Sequence, residues 1–241
     1  MNDPAVSRVW VVMPAAGVGH RMRADIPKQY LPLLGRPVIR WSLETLLAEP
    51  RVAGAVVALG EFDRLWEGWS SIGGKAIHPV TGGAERADSV REGLRFLSTS
   101  LAGPNDWVLV HDAVRPCVSP EAIARLLDLG LEHPDGALLA EPVRDTLKRS
   151  TAQRTISATA TRDGLWCAQT PQLFPLIALL RALDHAHEAD VQVTDEAQAM
   201  ERAGHSPLLV EGGSTNIKIT RPADLPLAAS ILTTMQQEPE A

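Results

Sequence analysis

Apolar residues along the chain cluster in two rhythms. Residues 9–13 and 107–110 are unbroken apolar runs, and 52–59 is a short β-branched run; each reads as a buried strand. Further short runs at 76–80, 136–140, 208–210 and 217–219 read the same way. Between them the spacing changes to three and four. Residues 37–49 place Ile39, Leu43, Leu46 and Leu47 on one stripe, and 85–97 places Val90, Leu94 and Leu97 on another. Residues 61–69 give a weaker stripe through Leu65, Trp66 and Trp69, and 175–188 a further helix. Ser119-Pro120-Glu121 is a helix start, with a capping hydroxyl, proline at the first position and acid in the first turn. Thr194-Asp195-Glu196 opens another helix that Gly204 closes, and Pro222 opens the last. Strands alternating with helices predict an α/β fold with a doubly wound, mostly parallel, Rossmann-like sheet.

One stretch breaks both rhythms. Residues 141–161 are polar, rich in Thr and Arg, and offer little to bury. They predict a β-hairpin excursion, a β-arm, from a single domain spanning residues 1–241. Residues 165–168 should then return to the core.

Composition narrows the partners. The chain has 241 residues, 45% hydrophobic, with 23 Lys and Arg against 29 Asp and Glu. A net charge of −6 argues against general nucleic-acid affinity, so any polyanionic ligand needs a local cluster of cations. Cys117 and Cys167, the only cysteines, have no metal spacing, and the first residues lack the basic and apolar regions of a signal peptide. No apolar run reaches membrane length. The expectation is a soluble cytoplasmic protein without membrane or nucleic-acid partners.

The chemistry centres on residues 14–30. The first strand runs into Ala15, Ala16, Gly17 and Gly19, followed by Arg21 and Lys28. Small residues let backbone N–H groups approach an anion, and the cations can close over it. This reads as a nucleoside triphosphate site; the weaker alternative is that the glycines only make a tight connection. It is not a P-loop, for no Gly-Lys-Ser/Thr follows. It is not the dinucleotide fingerprint either: Met22 stands where the third glycine belongs, and residues 33–38 carry no acid.

In doubly wound sheets ligands bind beyond the carboxyl ends of the strands. That rule adds Gly82 and Gly83, Asp112, and the region of Lys218. Glycines, cations and one acid are the parts of magnesium-assisted phosphoryl or nucleotidyl transfer. On residues alone, Asp112 can instead cap a turn, Lys218 can be a solvated strand residue, and Arg162 and Lys148 can be surface charges. His111 beside the acid suggests a general base, but an attacking phosphate needs none. His185 and His187, two apart on a helix, make a poor metal pair.

Eight segments together resemble the 2-C-methyl-D-erythritol 4-phosphate cytidylyltransferases of the non-mevalonate isoprenoid pathway. They are PAAGVGHRM (14–22), PKQY (27–30), GGAERADSV (82–90), HDAVRPC (111–117), PVRDTLK (142–148), TPQ (170–172), TDEA (194–197) and NIKITRPADL (216–225). The first is shared by many sugar nucleotidyltransferases; the ordered set is the specific signal, and it covers nearly the whole chain. The resemblance implies that Ala15, Ala16, Gly17 and Gly19 line cytidine triphosphate (CTP), with Gly83 and Ser89 reading the cytosine. Asp112 and Ala113 would meet the ribose, and Asp112 would hold Mg²⁺. Arg21, Lys28 and Lys218 would act on the triphosphate and its α-phosphorus. The arm would embrace a second subunit, bringing Thr146 and Arg162 to the sugar-alcohol phosphate, with Arg115 and Thr170 near the same substrate. His20, Ala84 and Thr215 depart from residues common in such relatives. The rival readings are a ribitol 5-phosphate cytidylyltransferase, a nicotinamide-dependent dehydrogenase and a non-catalytic nucleotide-binding domain.

Overall fold

Residues 7–17 and 26–237 are described by the computed structural model of the chain. The first apolar run is strand β1 (Val9–Pro14), followed by the short pair β2 (Pro32–Leu33) and β3 (Arg36–Pro37), helix α1 (Val38–Ala48) and β4 (Val52–Leu59). Next come β5 (Ser71–Ile72), β6 (Lys75–Thr81), α2 (Arg86–Ser100), β7 (Trp107–Val110), α3 (Pro120–Gly130) and β8 (Ala137–Pro142). The remainder is β9 (Leu147–Ser150), β10 (Ile156–Ala160), β11 (Trp166–Pro175), α4 (Leu176–Glu188), α5 (Glu196–Arg202), β12 (Leu208–Glu211) and α6 (Asp224–Gln237).

Eight strands form one sheet in the order β12-β8-β11-β7-β1-β4-β6-β5. The pairs of β1 with β4 and β7, of β4 with β6, and of β8 with β12 are parallel, whereas β11 runs antiparallel to both neighbours and β5 to β6. Along β1 the side chains alternate between two cores. Val9, Val11 and Met13 join Ile39 and Leu43 of α1 and Ile123 and Leu126 of α3. Trp10 and Val12 join Val90 and Leu94 of α2 and Leu179 of α4. A strand covered on both faces must be apolar at every position, which is why β1 reads as a continuous run. A third cluster seats α6 through Ala228 and Leu232 against Val38, Val114 and Ile219.

The caps are as expected. Ser119 Oγ accepts from the Ala122 amide at 3.2 Å, and Asp195 accepts from the Gln198 amide at 2.9 Å.

Three expectations are corrected. Residues 61–69 are not helical: Asp63 Oδ1 accepts from the amides of Leu65 and Trp66, a side-chain turn that competes with helix, and Gly68 takes φ +72°. The apolar stripe there has a different use, since Trp66 and Trp69 pack edge to face and cover the core from a loop. Residues 217–219 are not a strand; the Ile219 amide donates to Val114 O, so the segment is held across a loop instead of joining the sheet. Residues 165–168 are exposed, although they pair with β8; β11 enters the core only from Gln169 onward.

The polar excursion does form a hairpin. Among the described residues β9 and β10 pair only with each other, and most of their side chains are exposed. Glu141 and Pro142 still belong to β8, so the departure is two residues later than the polar pattern suggests.

Candidate active site

The carboxyl ends of β1, β4, β6 and β7 fall on one edge of the sheet, and backbone bonds tie the loops there. The Ala15 amide donates to Ala58 O at 2.8 Å, Gly82 to Leu59 O at 2.7 Å and His111 to Val12 O at 3.1 Å. The loops so gathered border a cleft of about 160 Å³. Ala15, Ala16, Gly17, Lys28, Gly83, Ser89, Asp112, Ala113 and Lys218 all line it, so nine predicted residues from five segments meet there.

Close backbone approach explains the small residues. A Cβ on Gly83 would stand 2.3 Å from Asp88 Cβ, and one on Gly82 would stand 2.7 Å from Ser89 Oγ and 3.0 Å from Ala16 Cβ. The Gly83 amide donates to Ser89 Oγ at 3.2 Å, which fixes this wall to α2. Opposite, the buried Gln29 side chain donates to Ala15 O at 2.7 Å and Gly17 O at 3.2 Å, pinning the first loop. Gln29 had no assigned role in the sequence, although it stands in PKQY. Gly19 and Arg21, and His20 between them, lie outside the described residues.

Asp112 is the electrostatic centre. Its Oδ1 accepts from Arg86 Nε at 2.9 Å, while Oδ2 faces Lys218 Nζ at 2.8 Å and Arg115 Nε at 3.5 Å. Burial opposes its ionisation, but Arg86, Lys218 and Arg115 overcome that and hold the carboxyl well below the usual carboxylate range. Arg86 and Glu196 were not singled out by sequence reasoning. Arg86 Nη1 and Nη2 grip the two carboxylate oxygens of Glu196 at 2.7 and 3.0 Å. The signal was present, for both stand inside recognised segments, GGAERADSV and TDEA.

Behind Asp112 a second network sets the loop. The Asp112 amide donates to Thr170 Oγ1 at 3.0 Å, and Thr170 Oγ1 lies 3.0 Å from His111 Nδ1. His111 Nε2 lies 3.1 Å from Arg115 O, so that nitrogen carries the proton and Nδ1 accepts from the Thr170 hydroxyl. Burial pushes the imidazole down to about 4, which keeps it neutral. Arg115 Nη1 also donates to Asn216 O at 2.6 Å, and the buried Asn216 amide donates to Thr170 O at 2.8 Å. Arg115 and Thr170 therefore support the Asp112 loop. Thr146 and Arg162 flank the hairpin strands, are exposed, and do not line the cleft; Arg162 donates to Arg144 O.

Among the described residues Asp112 and Glu85 are the acids that line this cleft, Asp112 alone of the two being paired with Lys218, and no cluster of three His, Cys, Asp or Glu suited to a metal occurs among them. No helix among them is long and apolar enough to cross a membrane.

A sequence model of the family 2-C-methyl-D-erythritol 4-phosphate cytidylyltransferase matches residues 9–234. A protein of that name from Halorhodospira halophila is 56% identical over 239 residues, covering 98% of each chain. Among solved structures, one described as 4-diphosphocytidyl-2C-methyl-D-erythritol synthase superposes with a TM-score of 0.80 at 35% identity, covering 94% of this chain and 99% of the other. The 2-C-methyl-D-erythritol 4-phosphate cytidylyltransferase of Francisella tularensis gives 0.79 at 35% identity, covering 93% and 100%.

Proposed function

The chain belongs to the 2-C-methyl-D-erythritol 4-phosphate cytidylyltransferase family, and we propose that the cleft around Asp112 is where it transfers CMP from CTP to 2-C-methyl-D-erythritol 4-phosphate, in isoprenoid biosynthesis, with release of pyrophosphate. The observation that carries this assignment is the meeting of Lys28, Lys218 and Asp112 with the small-residue loop on one cleft.

In the reaction a phosphate oxygen of the acceptor attacks the α-phosphorus of CTP in line. The new P–O bond forms as the bond to pyrophosphate breaks. Both reactants are anions, so positioning and electrostatics dominate the barrier. Backbone groups of Ala15, Ala16, Gly17 and Gly19 cradle the triphosphate, and the wall at Gly83 and Ser89 meets the cytosine. Small residues and backbone at this wall suit a pyrimidine better than the larger purine. Asp112 and Ala113 take the ribose, while Arg21, Lys28 and Lys218 act on the charge that grows at phosphorus. His111 stays out of the proton balance, for both its nitrogens are engaged and the nucleophile is already ionised.

Asp112 offers a single ionised carboxylate, the donor set Mg²⁺ accepts when substrate phosphates and water complete its shell. It would share the Asp112 oxygens with Lys218 and would neutralise charge on the triphosphate. The hairpin β9–β10 reaches a second copy of the chain in a homodimer, presenting Thr146 and Arg162 to the acceptor, while Arg115 and Thr170 hold the Asp112 loop behind it. What supports this is the placement of Thr146 and Arg162 next to exposed strands that, among the described residues, pair only with each other.

The test is pyrophosphate release by the full chain with Mg²⁺, pairing CTP, UTP or ATP with methylerythritol phosphate or ribitol 5-phosphate. Turnover confined to CTP with methylerythritol phosphate is expected. Preference for ribitol phosphate would replace the acceptor, and no release with any pair would remove the enzymatic reading.

A further inference from the structure

Glu196 belongs to neither the cleft nor the acceptor residues, yet it is a buried carboxylate, 1% exposed, with both oxygens committed to one guanidinium. Arg86 stands at the first position of α2 and Glu196 at the first position of α5, so the pair joins two helix starts. Arg86 is also the only part of that pair that lines the cleft. We infer that Glu196 is a positioning residue for cytidylyl transfer: by holding the guanidinium fork, it limits Arg86 to a single contact with Asp112 and leaves the second Asp112 oxygen to Lys218 and Arg115.

The geometry supports each step. A bidentate carboxylate fixes the guanidinium plane, because two parallel N–H bonds leave it no rotation. Each terminal nitrogen keeps a second hydrogen, yet in the plane that Glu196 fixes it is Nε that meets Asp112, 2.9 Å from Oδ1. Lys218 then takes Oδ2 at 2.8 Å. Released from Glu196, the same fork would suit the Asp112 carboxylate itself. It would take both oxygens and compete for the lone pairs that hold Lys218, which the proposed reaction uses at the α-phosphorus.

Charge points the same way. Arg86, Arg115 and Lys218 gather on Asp112, with Glu196 the second anion of the cluster. Removing the Glu196 charge leaves the cluster one unit more positive beside a polyanion. Ground-state attraction for CTP is then kept or increased, while the arrangement at phosphorus is lost. This separates a positioning role from simple nucleotide grip, in which affinity and turnover would fall together.

The inference rests on the reading of Asp112 and Lys218 as nucleotide-site residues, and the experiment keeps the two apart. CTP affinity is measured by calorimetry and turnover by pyrophosphate release for the wild type, Glu196→Gln, Arg86→Lys, the double variant and Asp112→Asn, with melting temperatures alongside. Glu196→Gln is nearly isosteric, and Arg86→Lys attacks the same link from the other side if the first folds poorly. The expected result is a kcat loss of roughly ten- to a hundred-fold in Glu196→Gln, the scale of a misplaced reacting group, with CTP affinity held within about three-fold. Arg86→Lys should lose a similar factor, and the double variant should be no worse than the more impaired single. Full kcat in Glu196→Gln, an equal fall in affinity and kcat, or losses that multiply in the double variant would each overturn the positioning role. If Asp112→Asn keeps wild-type turnover, the site reading itself falls and this inference goes with it.

Discussion

Lys28 Nζ donates to the backbone carbonyl of Ile219 at 3.3 Å, a contact between residues 191 positions apart. Ile219 follows Lys218, whose ammonium lies 2.8 Å from Asp112. Two lysines from opposite ends of the chain thus border one carboxylate and one small-residue loop. That convergence makes a cleft able to act on a triphosphate out of loops that could each have been mere connections.

Lys28→Ala should therefore cost turnover more than grip. A donor aimed at charge that develops at phosphorus is worth roughly 10²–10³ in rate. Steady-state kinetics should show kcat falling by that order, with the CTP Michaelis constant changed only slightly. Equal change in both would make Lys28 a nucleotide-holding residue only.

Gly83→Ala tests the base wall. Its Cβ would stand 2.3 Å from Asp88 Cβ, and Asp88 anchors the start of α2 through the Glu85 amide. Something must shift, so stability should fall by about 1–3 kcal/mol, the usual cost of overpacking. The CTP Michaelis constant should rise at least about ten-fold as the Ser89 wall moves. Unchanged CTP affinity would show that this wall does not face the base.

Arg162→Ala should raise the Michaelis constant for the sugar-alcohol phosphate about ten- to a hundred-fold, the scale of one charge-assisted hydrogen bond. The constant for CTP should hold. A shift in the CTP constant instead would detach the hairpin from the acceptor. Sedimentation of the wild type tests the accompanying homodimer.

Asp106 governs acid stability away from the cleft. Its carboxylate accepts from the amides of Arg8 and Gly103 and from the Trp10 indole, each at 3.0 Å. Burial opposes its ionisation, but these donors and the Arg8 charge outweigh burial and lower its pKa. A depressed carboxyl gives stability that is complete above the unfolded value of about 3.9 and is lost as pH falls below it toward the folded value. Asp106→Asn should cost about 2–3 kcal/mol at neutral pH, typical of a broken buried charged network. In urea titrations the gap to wild type should narrow below about pH 4. An equal gap at both pH values would show that the charge is not what stabilises.

Much of this was legible in the chain. The runs of β1, β4 and β7 could be read because a strand buried on both faces must be apolar throughout. The helix starts at Ser119 and Asp195 could be read because capping is local. Residues 61–69 misled because the Asp63 turn and the loop packing of Trp66 and Trp69 mimic a helical stripe while obeying tertiary needs. The alternation through Lys218 misled in a similar way. It arises because Ile217 and Ile219 face the α6 cluster from a loop, not because the segment lies in a sheet.

Periodicity, caps and small-residue turns are encoded in neighbours a few positions apart, so the alternating α/β architecture, the first loop and the ordered segments of the family can be read along the chain. Which charges share a partner depends on contacts between residues scores of positions apart, which no local pattern records. That Arg86 bridges Asp112 and Glu196, that Gln29 pins the first loop, and that His111 is a buried neutral prop emerges from the folded chain alone. Those roles follow from the shared edge at which the parallel strands end, where segments distant in the chain are brought within hydrogen-bond reach.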